Sequence, residues 1–81
     1  MISCHEYDYL EIACMYQYPI KLSLSNGDKI EGIAWDTGRT EDKQECLILK
    51  IDAKIHKVLL QDVKALTALV KNPHFTTVTF S

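Results

Sequence analysis

The side chains able to do covalent or metal chemistry are scattered along the chain. His5, His56 and His74 lie far apart, and Cys4, Cys14 and Cys46 are odd in number with no C-x-x-C pair. Neither metal-ligand spacing nor a Cys–His nucleophilic pair results. The glycines, at 27, 32 and 38, are isolated and build no phosphate-cradling loop. No enzymatic activity, cofactor or metal is therefore expected, and the cysteines read as reduced, mostly buried thiols. The informative residues are acids. Asp8 and Glu11 stand three apart, a spacing that puts two carboxylates on one side of a helix and lets them reach neighbouring Arg or Lys groups together. That is binding chemistry. The plainer alternative is a solvated face whose acids favour the helix dipole by about 0.3–1 kcal/mol each.

The elements that must position these acids follow from patterning. Ser3 and Glu6 fit a capping box, and the spacing predicts a helix over residues 4–16 with Tyr7, Leu10 and Cys14 on its core-facing stripe and Ala13 at the margin. Asp8 and Glu11 then project on the other side, beside Tyr9, Ile12, Met15 and Tyr16. Tyr9, Ile12 and Tyr16 are open to two roles, packing on the C-terminal strand or on a second copy. Pro19 ends the segment.

Residues 21–25 alternate with period two, and Asn26-Gly27 supplies the positive φ angles of a tight hairpin. A strand over 29–35 follows, then a polar loop over 36–44 with Gly38 at its bend. Residues 45–52, 55–60, 63–70 and 75–80 read as further strands, with turns around Ala53-Lys54, Gln61-Asp62 and Asn72-Pro73. A helix followed by five or six short strands in 81 residues points to one mainly β domain, a small bent sheet closing into a barrel. The helix occupies about 4–16 and the barrel about 20–81. Trp35 is expected to fill a barrel end.

The formal charge is −2, yet residues 1–16 hold three acids and no Lys or Arg, while residues 50–81 hold five lysines against two acids. The front is acidic and the back mildly basic. Lys50, Lys54, Lys57, Lys64 and Lys71 are spaced too widely for a nucleic-acid patch and read as a solvated back face. No apolar run is long enough to span a bilayer, and residues 1–6 have neither a basic nor an apolar leader region. A cytoplasmic, unprocessed chain is expected.

Leu22, Leu24, Asn26-Gly27, Ile30, Gly32, Ala34 and Asp36 resemble the first half of an Sm motif, although Val58 to Val63 lacks the Arg-Gly pair of the Sm RNA pocket. Residues 2–14 are more specific. Cys4, Tyr7-Asp8, Leu10-Glu11 and Ala13-Cys14, continued by Leu22-x-Leu24, Gly27 and Ala34-x-Asp36, resemble the Rho-binding antiterminator (Rof) family over nearly the whole chain.

The resemblance implies a small Sm-like β-barrel of five to six antiparallel strands preceded by an N-terminal α-helix. It also implies a partner, the hexameric transcription terminator Rho, bound on its N-terminal RNA-binding domain so that nascent RNA cannot load. Carried onto this chain, Tyr7, Asp8 and Glu11 are the expected Rho contacts, with Glu6, Tyr9 and Ile12 beside them. The loop from Arg39 to Gln44, through Glu41 and Asp42, is a second candidate by position. Tyr7 faces the core on the helical wheel and is expected to pack the helix down with its hydroxyl at the rim. The chain is expected to be a monomer when free and to bind no nucleic acid itself. The rival is a ring-forming Sm-like RNA-binding protein, which the negative charge and missing Arg-Gly pair disfavour.

Overall fold

The computed structural model describes residues 4–80, with the side chain of Cys4 excepted. The expected Ser3 cap lies outside the described residues. The elements are α1 (Cys4–Met15), β1 (Pro19–Leu24), β2 (Lys29–Arg39), β3 (Glu45–Ile51), β4 (Lys54–Leu59), a 3-10 turn (Leu60–Asp62), β5 (Val63–Ala68) and β6 (Thr77–Thr79). The six strands form one antiparallel sheet in the order β4-β3-β2-β1-β5-β6.

Helix α1 crosses β2 and buries Leu10 and Ala13 completely, while Tyr7 and Cys14 are partly buried at the edge of the same core. Ala13 thus stands at the centre of the buried stripe and not at its margin. Its short side chain lets the helix lie close to the sheet. From the sheet come Ile20, Leu22, Ala34, Leu47, Leu49, Val58, Val63 and Leu66, and Leu60 and Phe80 complete the core.

The helix ends before Pro19 is reached. Tyr18 N–H donates to the Ala13 carbonyl at 2.9 Å, Gln17 N–H donates to the Cys14 carbonyl at 3.2 Å, and Gln17 takes φ +53°. This is a Schellman cap, which satisfies carbonyls that the last turn leaves open and normally places glycine at the left-handed position. Pro19 then directs the chain into β1.

The 25–28 turn forms where Asn26-Gly27 places it, by a different geometry. Gly27 N–H donates to the Leu24 carbonyl at 3.0 Å, and Leu24 N–H donates to the Asp28 carbonyl at 2.8 Å. Gly27 alone is left-handed, at φ +95°, so this is a three-residue turn closed by a glycine bulge and not a two-residue hairpin. Asn26 instead uses its side-chain oxygen to accept from Asp28 N–H at 2.9 Å.

The first four residues of the polar loop expected over 36–44 are strand. β2 continues to Arg39 and pairs Thr37 with Leu47 and Gly38 with Cys46, after a bulge between Ala34 and Asp36. A strand needs only one apolar face, and β3 supplies the partners that make 36–39 extended. The turn is reduced to residues 40–44. The next hairpin reverses at Asp52-Ala53, both with positive φ, a turn that carries no glycine to announce it. β5 stops at Ala68 and β6 shrinks to three residues. Between them Asn72 Oδ1 accepts from the N–H groups of His74 and Phe75 at 2.9 and 3.1 Å, which fixes the turn expected around Asn72-Pro73 and shortens the strands on either side of it.

Gln17→Gly removes the cost of a left-handed non-glycine residue, and a gain of about 0.5–1 kcal/mol is expected. Urea unfolding checks it, as a higher midpoint with an unchanged slope.

Candidate functional site

Because Leu10 and Ala13 point inward, Asp8 and Glu11 are fixed outward and exposed. The structure adds a third acid. Burial first, then the carboxylates of Asp36 and Glu11, together raise the Cys14 thiol pKa from 9.0 to about 11. Glu11 on the helix and Asp36 on β2 thus both act on the same half-buried thiol. The bulge between Ala34 and Asp36 re-aims this part of β2, and Asp36 Oδ1 is held by Thr37 N–H at 2.8 Å. Sequence reasoning passed over Asp36 as a site residue. Its position at the end of an expected strand, and within the Ala34-x-Asp36 pattern, was the available signal.

The remaining expected residues divide. Tyr7 is half-buried and packs against the core cluster, as the wheel predicts. Glu6 and Ile12 are half-buried. Tyr9 meets His5 edge-on, with ring centroids 5.9 Å apart, and Phe75 at 5.6 Å. Tyr16 stacks between Tyr18 at 5.5 Å and His74 at 5.4 Å. Of the roles expected for Tyr9 and Tyr16, packing within the chain is met by the segment just before β6, on which both rings lie. Met15 stays 71% exposed and Tyr16 55%, so an apolar margin still adjoins the acids.

Glu41 and Asp42 are exposed on the 40–44 turn, which is held by bonds of its own. Asp42 accepts the Thr40 hydroxyl, Thr40 N–H donates to the Gln44 carbonyl at 2.9 Å, and Lys43 is left-handed. Lys43 and an Arg39–Glu45 pair at 3.8 Å offset the turn's acids, which makes it less negative than the helix face. Trp35 does not fill a barrel end. It is 40% exposed, with Lys50 Nζ 4.6 Å from its ring centroid.

These features, an outward acid pair on a helix capping a six-stranded sheet, invite comparison with known proteins. A family described as modulator of Rho-dependent transcription termination (ROF) matches residues 1–80. The chain belongs to the ROF family. A solved structure, YaeO bound to magnesium from Vibrio cholerae O395, superposes with a TM-score of 0.87 at 35% identity, covering 93% of this chain and 97% of that one. No curated protein matches the sequence. The ROF assignment makes this a member of a regulatory family acting on Rho-dependent termination. Magnesium is a feature of the Vibrio protein. Here, among the described residues, no group of three His, Cys, Asp or Glu side chains stands together to hold a metal ion. Also among the described residues, no helix is long and apolar enough to cross a membrane.

The Cys14 environment gives a direct check on the acid cluster. The raised thiol stays protonated at pH 8, so alkylation by iodoacetamide in a Cys4→Ser background is expected to be slow, accelerating as pH approaches 11. Asp36→Asn or Glu11→Gln removes a negative neighbour, lowers the thiol pKa and speeds alkylation at pH 9. The linked stability has a definite sign. The unfolded thiol ionises near 9 and the folded one near 11, so this contribution is complete below pH 9 and is lost as pH rises through that window.

Proposed function

We propose that the chain inhibits Rho-dependent termination by setting the Asp8–Glu11 face against basic groups on the N-terminal RNA-binding domain of the Rho hexamer, where nascent RNA would load. The observation that carries this reading is the fixed outward direction of Asp8 and Glu11, enforced by complete burial of Leu10 and Ala13 behind them. A site built to hold phosphates is basic, and carboxylates on a rigid helix compete for the same cations. Asp36 enlarges the negative surface, and Met15 and Tyr16 supply apolar contact at its margin. Tyr7 serves as the residue that seats the helix, with Glu6, Tyr9 and Ile12 flanking the contact. Glu41 and Asp42 form a second, weaker point of attachment on the 40–44 turn.

The protein acts as a monomer in the cytoplasm, where nascent RNA and Rho meet, and binds no nucleic acid itself. Strand order supports the monomer. β5 is paired on both sides, by β1 and by β6 of the same chain, and β6 offers only three residues for pairing with a neighbour. The ring assembly of the rival reading lacks a second long edge.

The test is binding to intact Rho with RNA as competitor. Asp8→Lys with Glu11→Lys is expected to weaken binding about tenfold or more for each charge-assisted hydrogen bond removed, while circular dichroism stays unchanged because both side chains are solvent-facing. Saturating single-stranded RNA is expected to displace the protein. Unchanged affinity in the double variant, or a stable ternary complex with RNA, would overturn the proposal.

A further inference from the structure

Away from the acidic helix, β4 is an open edge. Among the described residues it pairs with β3 alone, and Lys54, Ile55, His56 and Lys57 are four consecutive exposed residues along it. Residues 53–59 contain two lysines and no acid, so this edge is as consistently cationic as α1 is anionic.

The sheet registers give the edge a second property. Pro19 lies opposite Ile33, Ile33 opposite Lys50, and Lys50 opposite Ile55. Residues directly opposite one another share a face, so these four form a row across the outer side of the sheet, ending at the β4 edge. Ile33 is 40% and Ile55 53% exposed, and Lys50 leans over Trp35. The row is apolar at its open end.

An unpaired strand edge is a template for another extended chain. A second copy is a poor occupant, because antiparallel pairing of two β4 edges centred on Ile55-His56 puts Lys54 opposite Lys57 of the other copy, and like charges directly opposite repel. The same lysines attract acids.

We propose that β4 is a docking edge for an extended acidic segment of another protein, added antiparallel as a seventh strand. Read from its N-terminus, the segment places an acid opposite Lys57, any residue opposite His56, an apolar residue opposite Ile55, and an acid opposite Lys54. The apolar residue extends the Pro19–Ile33–Lys50–Ile55 row by one position. The two acids fall on alternate faces, each beside a lysine. Backbone pairing supplies the contact area, and the charges supply direction and selectivity. This surface is separate from Asp8 and Glu11, so a protein held by its helix still presents β4.

The probe is a fluorescein-labelled peptide, Asp-Thr-Val-Glu repeated, titrated into the full chain by anisotropy and mapped by amide hydrogen exchange. Binding is expected to slow exchange within β4, and Lys54→Glu with Lys57→Glu is expected to weaken it about tenfold. Both lysines are exposed, so the variant keeps its fold, while Lys71→Glu, an exposed charge reversal outside β4, leaves peptide binding unchanged. Absence of binding, binding without protection of β4 amides, or equal binding by the lysine double variant overturns the proposal. So does binding of a ten-residue oligouridylate in place of the peptide.

Discussion

Leu10 and Ala13 are wedged between α1 and the sheet with no exposed surface, and the direction of every other side chain on the helix follows from that contact. A helix turns 100° per residue, so a stripe pinned at 10 and 13 leaves 8 and 11 facing away. Truncating a leucine in such a position typically costs about 3–5 kcal/mol, a large share of what an 81-residue domain has to spare. Rotation of the helix to turn its acids inward would bury carboxylates with no partner, which is costlier still. The acidic face is a consequence of the apolar one.

The far end of the helix is held by a second set of contacts. The Schellman cap at Gln17 hands the chain to Pro19, and β1 enters the middle of the sheet there. Asn72 shapes the turn that brings His74 and Phe75 against Tyr16, Tyr18 and Tyr9. Ring contacts of this kind are worth about 0.5–1.5 kcal/mol each beyond area. They tie the first and last quarters of the chain together and leave Met15 exposed at the junction. The charge sorting along the sequence carries into the fold: acids on the helix and on the re-aimed part of β2, lysines along the β4 edge, where Lys57 lies across β3 in the Asp36–Ile48–Lys57 row.

Much of this was legible in the residues. The 3.6-residue stripe located α1, period-two alternation located β1 and β3, and Gly27 located the first turn. Other features depend on partners far away in sequence. Thr37 and Gly38 look like loop residues until Leu47 and Cys46 pair with them. The Asp52-Ala53 turn is set by the ladder on either side of it. Asp36 joins the acidic surface through a bulge that no local pattern records. The central position of Ala13 emerges only when the helix approaches β2 closely. The acids on α1 needed only helical spacing, which is why the site was more legible than the sheet that supports it.

The central claim is that the face of α1 bearing Asp8 and Glu11 is the surface that meets Rho. An amide chemical-shift titration of the labelled chain with the N-terminal RNA-binding domain of Rho tests it residue by residue. The account predicts that the largest shifts and line broadening fall on Asp8, Glu11, Met15 and Asp36, with Leu47, Leu49 and the β4 edge nearly unmoved. Shifts concentrated on β4 or on β6, with α1 unperturbed, would contradict it.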